Sequence, residues 1–221
     1  MITQAVTQLR HGERMTRETF HRLYEQAPKD VKAELIGGTV HMAAAMKLSH
    51  GEHHGAIITL FCLYRGKTPG VRFGDNVTVM LGDGGAPQPD ALLRIEAECG
   101  GQSTLEDGYV VGPPELTVEI SDSSLRLDIN AKRDDYRQYG VLEYLVVDLQ
   151  NQQVRWFELQ KDVEHQADED GVIRVGCFPG MWIDVEALLT LDIEKLTDTF
   201  EAGLQSPEYL SFRDKLAQAS K

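Results

Sequence analysis

Two short hydrophobic runs, residues 116–120 and 143–148, lie either side of a segment, 128–139, whose apolar residues recur at helical spacing; Gly140 follows where a left-handed helix cap belongs. This strand, helix, strand order constrains the chain most, because each element has an apolar face that must be buried against another layer. Further strands read at 71–73, 77–81, 90–95, 154–159 and 172–177. Residues 33–36 and 39–42 flank Gly37-Gly38, a pair that tolerates the positive φ of a tight hairpin turn. Thr16 can cap a helix with Phe20, Leu23 and Tyr24 as its stripe, and Ser49 with Glu52 has capping-box spacing ahead of Ile57, Leu60, Phe61 and Tyr64. Residues 82–89 read as a Gly/Pro loop, 97–112 as a loop or small hairpin insertion, and 207–219 as a closing amphipathic helix. The expected fold class is α/β: a mixed sheet flanked by helices, with an N-terminal hairpin and a C-terminal helix.

The 221 residues suffice for one large domain that needs no disulfide or metal to hold its core. We read 1–15 as a flexible tail, 16–190 as the domain and 191–221 as a helical extension. With 22 basic against 35 acidic side chains the formal charge is −13, which on its face argues against a nucleic-acid partner. Three widely spaced cysteines match neither a zinc site nor a disulfide scaffold, and no apolar run approaches the ~20 residues of a membrane span. A reducing cytoplasm is the expected setting.

Chemistry is sought where a charged residue interrupts a core-facing pattern. Ala91, Leu93 and Ile95 share one strand face, which puts Asp90 on the other; Leu116, Val118 and Ile120 likewise put Glu119 opposite them. If the two strands pair, the carboxylates converge and repel unless a cation sits between them, and Mg²⁺ is the usual one. Ile129, Lys132, Tyr136 and Tyr139 form one inward helical stripe, whereas Arg133, Asp134 and Arg137 point elsewhere. An ammonium on a packed face needs a carboxylate partner, so Lys132 is expected near Asp90, Glu119 or Asp128. His50 and His54 share a helix face but match no metal motif, and read as a polar helix start near the site.

The segments Ala33-Glu34-Leu35-Ile36-Gly37-Gly38-Thr39-Val40, Pro89-Asp90, 116–121, Asp128 with Lys132 and Tyr136, and 140–148 together resemble the Uma-two family of restriction-endonuclease-like proteins, over about residues 16–185. The resemblance implies the PD-(D/E)XK nuclease fold, with Asp90 and Glu119 as metal ligands, Glu34 as an outer acidic residue and Lys132 as the catalytic amine. Ser121 stands where the superfamily motif has its lysine, Gln88 where a basic residue is common, and 121–123 lacks the usual proline.

The expectation is a Mg²⁺- or Mn²⁺-dependent endonuclease cutting DNA, which it binds weakly and salt-sensitively, with Arg126, Arg133 and Arg137 at the mouth of the site and a homodimer as the working unit. Two alternatives stand beside it: a catalytically idle interaction module on the same fold, and a hydrolase of small phosphate esters.

Overall fold

The computed structural model describes residues 8–219, so part of the 1–15 tail, residues 1–7, lies outside the described residues. Residues 12–15 run alongside the hairpin: the Gly12 amide donates to Val40 O at 2.8 Å and the Met15 amide to Gly38 O at 2.9 Å. Helix α1 (Arg17–Glu25) is capped by the Thr16 hydroxyl, and strands β1 (Ala33–Ile36) and β2 (Thr39–Met42) pair antiparallel across Gly37 and Gly38, both at positive φ. Helix α2 (Leu48–Lys67) starts one residue before the expected capping box. Lys47 is its N-cap and no side chain caps it; the Ser49 carbonyl is instead taken by the His53 ring at 2.7 Å.

Strands β3 (Val71–Asp75), β4 (Val79–Met80) and β5 (Ala91–Ile95) follow, and the 97–112 insertion is a hairpin of β6 (Thr104–Glu106) and β7 (Tyr109–Val111) joined to β4 in a three-stranded sheet. Strand β8 (Leu116–Ser121) leads into a continuous helical run: α3 (Leu125–Leu127), a π-helical turn (Asp128–Lys132) and α4 (Arg133–Tyr139), with Gly140 in the left-handed cap. Strands β9 (Glu143–Asp148), β10 (Gln153–Glu158), β11 (Val163–His165), β12 (Val172–Arg174) and β13 (Trp182–Asp184) precede helices α5 (Val185–Thr190), α6 (Ile193–Gly203) and α7 (Pro207–Ala219).

The central sheet has the order β11-β10-β9-β8-β5-β3 and is mixed: β8 and β9 run parallel, joined by the α3–α4 crossover, and their neighbours are antiparallel. All six residues of β8 and of β9 are buried, as parallel strands covered on both faces require. One face carries Leu116, Val118, Ile120, Leu145 and Val147 against α2 and α5–α7; Tyr64 meets Phe178, Phe200 and Tyr209 edge-on there. The other carries Leu92, Tyr144 and Val146 against Tyr136 of α4. Glu119 does lie opposite the apolar stripe of β8, but that second face is buried too, so its carboxylate must find partners inside the protein. Among the described residues no helix is long and apolar enough to cross a membrane.

Residues 191–219 pack into the main core, since Leu196, Phe200, Leu204, Tyr209 and Leu216 are buried within it. Phe200→Ala is therefore expected to cost about 3–5 kcal/mol in a single cooperative urea transition of the whole chain. Loss of a separate, minor transition would show that this segment folds apart.

Candidate active site

The β5–β8 register, Ala91 opposite Val118 and Leu92 opposite Thr117, sets Asp90 beside Glu119 when continued by one step. Asp90 is 8% exposed and Glu119 4%. The Ile120 amide donates to Asp90 Oδ2 at 2.7 Å, and the His54 ring reaches the Asp90 carbonyl at 2.9 Å, so both ends of the residue are fixed. Antiparallel pairing between a strand start and a strand end thus turns two distant sequence positions into one acidic pair.

The crossover supplies the cation. Its π-helical turn widens the helix by one residue per turn, and Asp128 and Lys132 at the ends of that turn are both buried. Lys132 Nζ donates to Glu119 Oε1 at 2.9 Å and lies 2.9 Å from Glu34 Oε1, so one ammonium joins β8, the hairpin and the crossover. The Tyr136 hydroxyl donates to the same Glu119 Oε1 at 3.0 Å, and Glu34 Oε1 also accepts the Gln88 amide at 2.6 Å. Lys132, Asp90, Glu119 and Glu34 are brought together as expected, and all four line one cleft. The stripe faces inward as expected, with Lys132 and Tyr136 buried and Ile129 and Tyr139 partly buried against the same apolar cluster; Asp128 and Asp135 are buried as well.

Electrostatics show an unbalanced site. Burial works against the Lys132 ammonium, but Glu119, Glu34 and Asp128 outweigh it and hold the amine well above its ordinary value. Burial raises the Glu119 carboxyl well above its own, Lys132 opposing and Asp90, Asp128 and Glu34 adding to the rise. Asp128 is raised by burial as well, against Lys132 and a 2.6 Å bond from the Ser124 hydroxyl. For Asp90, burial pushes upward, yet His50, the Ile120 amide and Lys132 bring the carboxyl below its ordinary value. Four carboxyl groups thus gather round the Lys132 ammonium and the His50 ring, and the upward shifts of Glu119 and Asp128 are of the kind a further cation would relieve.

His50 is the residue that sequence reasoning placed nearby without assigning it a contact. Its Nε2 stands 3.4 Å from Asp90 Oδ1, an ionic contact rather than a hydrogen bond, and this buried nitrogen has no hydrogen-bond partner. The contact with Asp90 raises the ring's pKa. His53 has a different job, bridging Ser49 O and Leu189 O within the fold. The only sequence signal was the His50/His54 spacing at a helix start; the strand that meets it is 36 or more residues away in sequence.

Two expectations about basic groups are corrected. Arg133 and Arg137 do not flank the cleft; both pair with Asp162, at 2.5 and 2.7 Å, and Arg133 lies over the Phe157 ring. Of the three arginines only Arg126 is near, in a shallow depression beside it. Gln88 in place of a basic residue has a structural use: its side-chain amide donates to the Tyr24 and Thr78 hydroxyls, both at 3.0 Å.

The donors present fit a hard divalent cation. Asp90 and Glu119 offer carboxylate oxygens next to a negative surplus, and Mg²⁺ commonly takes one or two carboxylates and completes its shell with water and phosphate oxygens. Among the described residues no three or more His, Cys, Asp or Glu side chains are gathered as a cage. An open, two-carboxylate arrangement is thus the one to weigh.

The mixed sheet flanked by helices, with these acidic and basic groups at one end of paired strands, is the arrangement that the sequence resemblance implied. Comparison with protein families gives the narrower assignment: the family described as "Uma2: Putative restriction endonuclease" matches residues 17–186, and the chain belongs to it. Among solved structures, one from Anabaena variabilis described as "a putative nuclease belonging to DUF820" superposes with a TM-score of 0.62 at 17% identity, covering 76% of this chain and 96% of that one. No curated protein matches.

Lys132→Met leaves the buried Glu119 carboxylate without its cation, a change expected to cost about 3–5 kcal/mol. Glu119 already titrates above 4.5, and the variant loses the lysine that opposes that rise. The folded variant therefore keeps a proton that the unfolded chain releases, and its stability falls as pH climbs from 4.5 through the raised value. In urea titrations its deficit against the wild type is expected to be smaller at about pH 5 than at about pH 8, whereas a deficit independent of pH would contradict the pairing.

Proposed function

We propose that the chain is a metal-dependent endonuclease that hydrolyses phosphodiester bonds of DNA, with Asp90 and Glu119 holding Mg²⁺ or Mn²⁺. The observation that carries this reading is the buried Lys132 ammonium, held between Glu119 and Glu34 beside Asp90. A divalent cation bound there would supply Lewis acidity and lower the pKa of water.

The protein's own groups have distinct roles in this reading. Asp90 is prepositioned by the Ile120 amide, by His54 at its carbonyl and by His50 at its side chain. Tyr136 fixes Glu119 Oε1, so the carboxylate's orientation does not depend on Lys132 alone. Lys132, kept charged by its neighbours, places a positive charge where charge accumulates on the scissile phosphate and orients the attacking water. Glu34 holds Lys132 from the hairpin side and acts as the outer acidic residue. Cutting both strands of a duplex calls for two such sites, so the reading includes a homodimer.

A second reading, an idle interaction module, draws on the −13 charge. The two separate on metal binding and cleavage. Purified protein is expected to nick or linearise supercoiled plasmid with Mg²⁺ or Mn²⁺, and Asp90→Ala, Glu119→Ala and Lys132→Ala to lower the rate by about 10²-fold or more. Full activity in those variants would remove the site from the reaction, and calorimetry with no metal uptake at millimolar concentration would favour the idle module.

A further inference from the structure

The cleft has two unlike walls. One is built from the hairpin and the exposed segment that follows it, residues 43–47; the Ala43 amide donates to Lys32 O at 3.0 Å, which holds Lys32 to this wall, and Lys47 lines it at the far end of the segment, as the N-cap of α2. The other is the turn after β8 and the crossover, with Asp122, Ser123, Ser124 and Asp128. Lys132, the third lysine lining the cleft, is committed to Glu119 and Glu34.

A salt bridge ties the walls together. Lys47 Nζ lies 2.8 Å from Asp122 Oδ2, with the lysine side chain 71% exposed and the aspartate 21%. Both residues line the cleft that holds Asp90 and Glu119. Asp122 is the residue following Ser121, in the 121–123 stretch that departs from the family's pattern and that the catalytic reading leaves without a role. An ion pair this exposed is weak, so a phosphate can replace its carboxylate at little cost.

We propose that Lys47 is the phosphate-gripping side chain of this cleft and that Asp122 competes for it, closing the mouth of the site in the free protein. This rests on the nuclease reading and deepens it: a DNA phosphate entering the cleft exchanges with Asp122 for the Lys47 ammonium. The exchange leaves one carboxylate unpaired close to the strand, which keeps affinity low. With Lys32 on the same wall, it gives the acidic chain a way to admit DNA through a releasable lysine at the mouth rather than a broad basic face.

Binding measured apart from catalysis tests it: fluorescence anisotropy of a fluorescein-labelled 20-mer duplex in EDTA, titrated at several salt concentrations. Lys47→Ala is expected to bind more weakly and to make the log–log salt slope shallower by about 0.9, one phosphate contact. Asp122→Ala, with Asp122→Asn as a second variant, is expected to bind about two- to fivefold tighter by releasing the lysine. In the Lys47→Ala background the Asp122→Ala gain should fall to less than half, the coupling a double-mutant cycle isolates. Unchanged or weaker binding by both Asp122 variants, or the same gain with Ala at 47, overturns the proposal. If that happens while the wild type still cuts plasmid, the nuclease reading survives. If the wild type neither binds nor cuts DNA, both fall.

Discussion

The ammonium of Lys132 is the point on which the cleft depends. It is 4% exposed, and a charge so far from water persists only with partners of opposite sign. Those partners come from elements with no sequence proximity: Glu119 on β8 and Glu34 on β1, with the lysine itself on the crossover. The same contacts position the hairpin, which is also held by Asp135 Oδ2 accepting the Gly37 amide at 2.6 Å. Hairpin, sheet and crossover therefore meet at one electrostatic joint, and the cleft is the space they leave.

Much of this was legible in the sequence because local chemistry and periodicity agreed. Gly37-Gly38, Thr16 and Gly140 announced a turn and two helix ends, and each does that work in the fold. The alternation in β8 put Glu119 on the correct face, and helical spacing put Lys132 inside. Tertiary features were not legible. A π-helical turn has no local signature, so neither the turn nor the burial of Asp135 beyond it could be read. Residues 77–81 read as a strand, but only Val79–Met80 form one, through a parallel contact with β7 that depends on the insertion's hairpin, while Leu81 bridges back to Gly85. Helix α5 was not placed, although Asp184 caps it by accepting the Ala187 amide at 2.8 Å, a signal the residues did contain.

The candidate site residues were chosen partly through family resemblance, and the structure adds contacts that resemblance lacked. Asp90 has a histidine contact on its side chain and another on its carbonyl, both from one turn of α2. That contact explains why two nearby carboxylates titrate in opposite directions: Asp90 is drawn down by His50 and Ile120, whereas Glu119 is driven up by burial. The charge of −13 also takes on a local meaning. Part of it is concentrated in the cleft, and two of the three arginines expected at the mouth, Arg133 and Arg137, are spent on Asp162 instead.

The central claim is that this carboxylate surplus is a cation site whose lysine stays in place. A crystal structure after soaking in Mn²⁺, with anomalous data, tests it most directly. The account predicts an anomalous peak contacted by carboxylate oxygens of Asp90 and Glu119, with Lys132 Nζ still on Glu119 and Glu34. Manganese found only elsewhere, or a peak at Glu119 that displaces Lys132 into solvent, would contradict it.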